Sequence, residues 1–83
     1  MINWNLLFEE LKKECIKKLI QREEKYKEKW KNVEISFLVS KLIEEVNEFL
    51  EEFKKSNFVN AKNEIIDIVN VCLMLYHRLS NKF

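Results

Sequence analysis

Residues 63–76 read NEIIDIVNVCLMLY. From Glu64 to Tyr76, ten of the thirteen residues are apolar, a composition that suits a helix buried on every side. Glu64, Asp67 and Asn70 interrupt it at steps of three, and on a helix that spacing stacks them in one row. An isolated ionised carboxylate in such surroundings is costly, so it must be protonated, paired or bound to a metal. After Asn63 the stretch holds no Lys or Arg before Arg78. Local pairing is therefore absent.

Working outward, the preceding segment carries the complementary pattern. A helix is expected over about Val33 to Lys54, with Ile35, Leu38, Leu42, Val46, Phe49 and Phe53 as one apolar stripe. At about 100° per residue, Glu45 falls on the edge of that stripe, Glu48 sits one turn along, and Lys41 lies on the same edge. Glu44 lies farther round, and Glu51 and Glu52 read as a solvated face. The run KKSN (54–57) suits a helix end followed by a cap from Ser56 or Asn57. A third helix then runs from about Phe58 to Leu79. So short a connection implies an antiparallel hairpin, which brings Glu45 and Glu48 toward Glu64 and Asp67. Four acids facing one another require a cation; a core salt-bridged by lysines is the alternative. An all-carboxylate set favours Mg²⁺, with Mn²⁺ possible, over Zn²⁺. A di-iron site needs Glu-x-x-His on two helices, and the single histidine, His77, has Met74 three residues before it.

The first helix is expected from about Asn5 to Lys29, with Leu7, Leu11, Cys15 and Leu19 on one face and Trp4 as its packing anchor. Its second half, QREEKYKEKWK (21–31), reads as a solvated end or a bend. Asn32 is the expected N-cap of the second helix. His77 reads as a surface or helix-end residue, and Phe37 and Tyr76 as packing residues.

The chain has 83 residues, which sets a limit of one domain, 1–83, and a modest buried fraction. Oligomerisation is the expected source of further burial. Gly and Pro are both absent, which removes the usual builders of left-handed turns and phosphate-cradling loops and excludes Rossmann and P-loop nucleotide sites. Fifteen Lys plus Arg against fourteen Asp plus Glu give no basic face for general nucleic-acid binding. Cys15 and Cys72 match no metal or redox spacing and read as small buried hydrophobes in a reducing compartment. The N-terminal MINWNLLFEELKKE acquires charge too early for a signal peptide, and no apolar run reaches membrane-spanning length. The expectation is an all-α, cytoplasmic protein with no membrane partner.

Glu44-Glu45-x-x-Glu48, then fifteen residues, then Glu64-x-x-Asp67, resembles the EExxE…ExxD signature of the MazG-like all-α NTP pyrophosphohydrolases. KLIEEVNEFLEEF and NEIIDIVNVCLMLY resemble that family in their apolar context too, over about residues 30–79. The resemblance implies Mg²⁺-dependent cleavage of a nucleoside triphosphate between the α and β phosphates, giving the monophosphate and pyrophosphate. It implies Glu45, Glu48, Glu64 and Asp67 as metal ligands, and Glu44, with Glu45, as the residues acting on the attacking water. It also implies a homodimer or homotetramer in which hairpins from two chains form a four-helix bundle. Lys41 and some of Lys25, Lys27, Lys29 and Lys31 are candidates for phosphate contact, Asn70 for the base, sugar or a ligand carboxylate, and Trp30 for base stacking. The chain departs from the family in its length and in Asn47, where small residues are frequent. Two rival readings remain: a non-enzymatic helical interaction module, and a nucleotide-binding regulator that has lost turnover.

Overall fold

Polar residues at the helix ends set the elements of the structure, a computed structural model that describes residues 1–82. They are α1 (Trp4–Tyr26), a 3-10 turn (Lys29–Lys31), α2 (Ile35–Lys54) and α3 (Phe58–Lys82). Asn3 caps α1, its Oδ1 accepting from the Leu6 N–H at 3.2 Å. The first helix stops at Tyr26, three residues short of the expected Lys29, and the bend expected within 21–31 falls just after it. Lys27 and Glu28 both take left-handed backbone, with φ of 47° and 59°, and the charged run has no apolar stripe to hold it helical. Asn32 does not cap α2. It closes the 3-10 turn by donating to the Lys29 carbonyl at 3.2 Å, and Glu34 precedes α2 without a side-chain cap. Asn57 does cap α3, accepting from the Asn60 N–H at 3.3 Å, and Ser56 supplies the left-handed step before it with φ 58°. Three positive-φ positions are thus built without glycine, each at a cost of roughly 1–2 kcal/mol.

The helices α2 and α3 form an antiparallel hairpin, and α1 lies across α3. Leu38, Ala61 and Val71 are buried in the hairpin, and Cys15, Ile66 and Met74 are also buried. The connector is pinned by Arg78, whose guanidinium donates to the carbonyls of Trp30 at 2.8 Å and Val33 at 2.6 Å. Trp30 stands edge-on to His77, with ring centroids 5.5 Å apart. No helix among the described residues is long and apolar enough to cross a membrane.

The expected single stripe on α2 is really two. Ile35, Leu38, Leu42 and Phe49 are buried or half-buried, whereas Val46 and Phe53 are exposed. They belong to a second row, Val39, Ile43, Val46, Leu50 and Phe53, all exposed and spaced alternately by four and three. On α3 the exposed Ile65, Cys72, Tyr76 and Leu79 make a matching row, with Val69 half-buried among them. Glu64 and Arg78 mark the side of α3 that faces α2 and its lead-in, because they meet Glu45 and Glu48 and the Val33 carbonyl respectively. Each outer row follows its inner row by one residue, a turn of about 100°. In an antiparallel pair that turn carries both rows to the same side. The opposite side, marked by Asp67 and Asn70, is the one that α1 covers.

The first ten residues are exposed, and Trp4 is 63% exposed. Within this chain Trp4 anchors nothing, because α1 meets α3 only farther along, where Cys15 and Lys18 make their bonds.

Candidate metal centre

The acids on the inner row of the hairpin, with Glu48 on its flank, define the site. Each of Glu45, Glu48 and Glu64 offers a carboxylate oxygen, and these oxygens all lie within 4.8 Å of one another. Opposite ligand oxygens on an octahedral Mg²⁺ stand about 4.2 Å apart, so small side-chain rotations suffice to close the trio on one ion. Glu45 is only 8% exposed, Glu64 is half-buried and Glu48 is exposed. The arrangement therefore opens to solvent at one edge.

Electrostatics shows the strain of that grouping. Burial first, then hydrogen bonding and charge repulsion from Glu48, with Asp67 and Glu64 adding to it, push the Glu45 carboxyl up to about 7. Glu64 is raised as well, chiefly by burial and further by the charges of Glu48 and Asp67. Without a cation Glu45 eases the repulsion by keeping its proton to higher pH than an ordinary carboxyl. Two buried oxygens at the site, Glu64 Oε2 and Asn70 Oδ1, have no hydrogen-bond partner. An orphaned carboxylate oxygen in a set of hard oxygen donors fits a divalent cation such as Mg²⁺ or Mn²⁺.

The fourth acid, Asp67, stands outside the trio. Its Oδ1 accepts from Lys18 Nζ at 3.0 Å, and the same ammonium donates to the Asn63 carbonyl at 3.2 Å. Asp67 thus has a cationic partner from α1, forty-nine positions away in sequence. One signal was present: Lys18 follows Cys15 by three residues, on the same face of α1 as Leu11, Cys15 and Leu19. Asn70 is 6% exposed and donates from Nδ2 to the Cys15 carbonyl at 3.2 Å, fixing α1 over the site.

Lys41 lies at the rim, 3.4 Å from Glu44 and 3.9 Å from Glu45. Glu44 is exposed and not part of the trio. Glu52, expected on a solvated face, is half-buried, and its Oε2 has no partner. Trp30 lines a separate depression with Arg22, Phe37 and Lys41, its indole N–H directed to Glu23 at 3.4 Å. Phe37 is exposed at that rim, and Tyr76 is exposed on the outer face, so neither fills the core of this chain. Lys29 also lines the Trp30 depression, and Lys25 lines the cavity beside Asp67.

No protein-family model matches the chain, and no curated protein matches it. Among solved structures, the fold matches a crystal structure described as a predicted coding region from Archaeoglobus fulgidus DSM 4304. The TM-score is 0.84 and the identity 27%, covering 95% of this chain and 98% of that one. The all-helical architecture therefore recurs over the whole length of an archaeal chain.

Proposed function

We propose that the protein is a Mg²⁺-dependent nucleoside triphosphate pyrophosphohydrolase that works as a homo-oligomer. The observation that carries this reading is the trio Glu45, Glu48 and Glu64, whose oxygens converge from two helices with one carboxylate almost fully buried. The EExxE…ExxD resemblance supplies the reaction class. Glu45, Glu48 and Glu64 would hold a dication, with Asp67 completing the set, and the ion would supply neutralising charge to the phosphate oxygens. Glu44, one residue from Glu45 and exposed, orients the attacking water from the solvent side. Lys41, half-buried beside both, fixes the Glu44 carboxylate and meets a phosphate. Trp30, in the depression that Lys41 also lines, offers a face to the base, and Asn70 supports the ligand set.

The outer rows of α2 and α3 supply the oligomer. Alternating steps of four and three are the spacing with which helices interlock in bundles, and two such rows on one side of a hairpin make half of a four-helix bundle. A chain of this length gains from burying them. That same bare face favours a second reading, a non-enzymatic dimerisation module, but this leaves the converging acids without a purpose.

Pyrophosphate release across standard and modified nucleoside triphosphates tests the proposal. Glu48→Gln should abolish release, by roughly a thousandfold or more, while far-UV circular dichroism stays helical. Equal turnover in that variant would remove the site assignment.

A further inference from the structure

We propose that Lys18 is a displaceable counter-ion for the acidic row. Its ammonium holds the Asp67 carboxylate apart from Glu45, Glu48 and Glu64 until a divalent cation competes for that carboxylate, and then turns to the phosphates of the nucleotide. This rests on the metal-dependent reading above and adds a regulated step to the same site.

Three observations carry it. First, Lys18 occupies the carboxylate that the trio lacks: Asp67 Oδ1 is 3.0 Å from its Nζ, whereas Asp67 is absent from the converging set. Second, the contact is easily exchanged. Both side chains are 35% exposed, and a partly solvated ion pair is worth at most about 1 kcal/mol. A lysine is also a compact charge on a flexible stem, able to swing without moving its helix. Third, the space around the pair is built for a ligand of both signs. A cavity of about 300 Å³ has Lys18, Arg22 and Lys25 of α1 on one wall, and Glu45, Asp67 and Asn70 of the hairpin on the other. Within it Asn70, only 6% exposed, keeps an oxygen with no partner. A metal–phosphate pair matches that polarity, the cation toward the carboxylates and the anion toward α1.

A purely structural ion pair predicts something different. Its loss would loosen α1 and leave cation affinity unchanged or weaker. Loss of a competing ammonium strengthens cation binding instead, because a unit positive charge a few ångströms from a dication is repulsive.

The test is calorimetric titration of the full chain with Mn²⁺ alone, for the natural protein, Lys18→Met and Lys18→Arg, with Lys18→Gln as a second neutral variant should the methionine one misfold. Mn²⁺ should bind the neutral variant about tenfold more tightly than the natural protein, and Lys18→Arg should stay close to the natural protein. With Mn²⁺ saturating, a non-hydrolysable nucleoside triphosphate analogue should bind the neutral variant about tenfold more weakly. Mn²⁺ affinity that is unchanged or reduced in the neutral variant overturns the counter-ion role and leaves the metal site standing. If neither the natural protein nor the variants bind Mn²⁺, the metal-dependent reading falls and this proposal falls with it.

Discussion

The inner and outer rows of the hairpin are the same pattern displaced by one residue, yet only the inner row sets acids among its apolar side chains. The inner row of α2 runs through Leu38, Leu42, Glu45, Phe49 and Glu52; the outer row runs through Val39, Ile43, Val46, Leu50 and Phe53. Glu45 and Glu52 thus stand among residues that the chain covers, while a wholly apolar row stands where the single chain leaves it wet. Each row is incomplete in a different way. Converging carboxylates call for a cation, and a bare apolar face calls for another apolar face. On the proposed reading, the ion answers the first need and a second copy of the hairpin answers the second.

The largest effect is expected from attacking the outer row. Ile43→Lys together with Leu50→Glu places charges in the middle of that face without touching the inner row. Sedimentation should show the oligomer reduced to monomer, and the unfolding midpoint should fall by well over about 5 °C, since each kcal/mol shifts a domain of this size by roughly 4–8 °C. An unchanged mass would mean that the outer row is not the interface. Cys72 sharpens the same point, because it is exposed in the isolated chain at the centre of the α3 outer row. Alkylation of Cys72 should be slow in the oligomer and fast in the double variant.

A smaller effect is expected at the inner row with changing pH. The Glu45 carboxyl titrates near 7 in the folded chain against 4.5 when unperturbed. A raised carboxyl favours the protonated form, so its contribution is fully present below about 4.5 and is lost as pH rises through about 7. Metal-free protein should therefore become less stable across that window, and Glu45→Gln should flatten the slope. Saturating Mg²⁺ should reverse it, because the cation takes the deprotonated form. A metal-free stability that rises with pH over the same range would show that the inner carboxylates are already well paired.

Much of the architecture was legible because the relevant signals are local. Helical periodicity, the row Glu64–Asp67–Asn70 and the short KKSN connection give the all-helical hairpin, and the convergence of Glu45, Glu48 and Glu64 follows from that hairpin. Helix ends were less legible. Lys27, Glu28 and Ser56 adopt left-handed backbone that their residue types do not advertise, and Glu34, rather than Asn32, precedes α2. The splitting of the α2 stripe was hidden because rows one residue apart merge into a broad apolar arc when only periodicity is read. Lys18 was half-hidden for another reason: its place on the apolar face of α1 is a local signal, but its partnership with Asp67 depends on how α1 crosses α3. Trp4 shows the same limit: its aromatic character suggested packing, while the crossing of α1 leaves it exposed.

The proposed activity and the role of Lys18 both depend on the hairpin's converging acids binding a hard dication. Anomalous diffraction from crystals grown with Mn²⁺ decides this without reference to turnover. A peak is expected within bonding distance of oxygens from Glu45, Glu48 and Glu64, with Asp67 drawn toward it and Lys18 released. A map with no peak, in which those carboxylates point to bulk water or pair with lysines, would refute the metal centre.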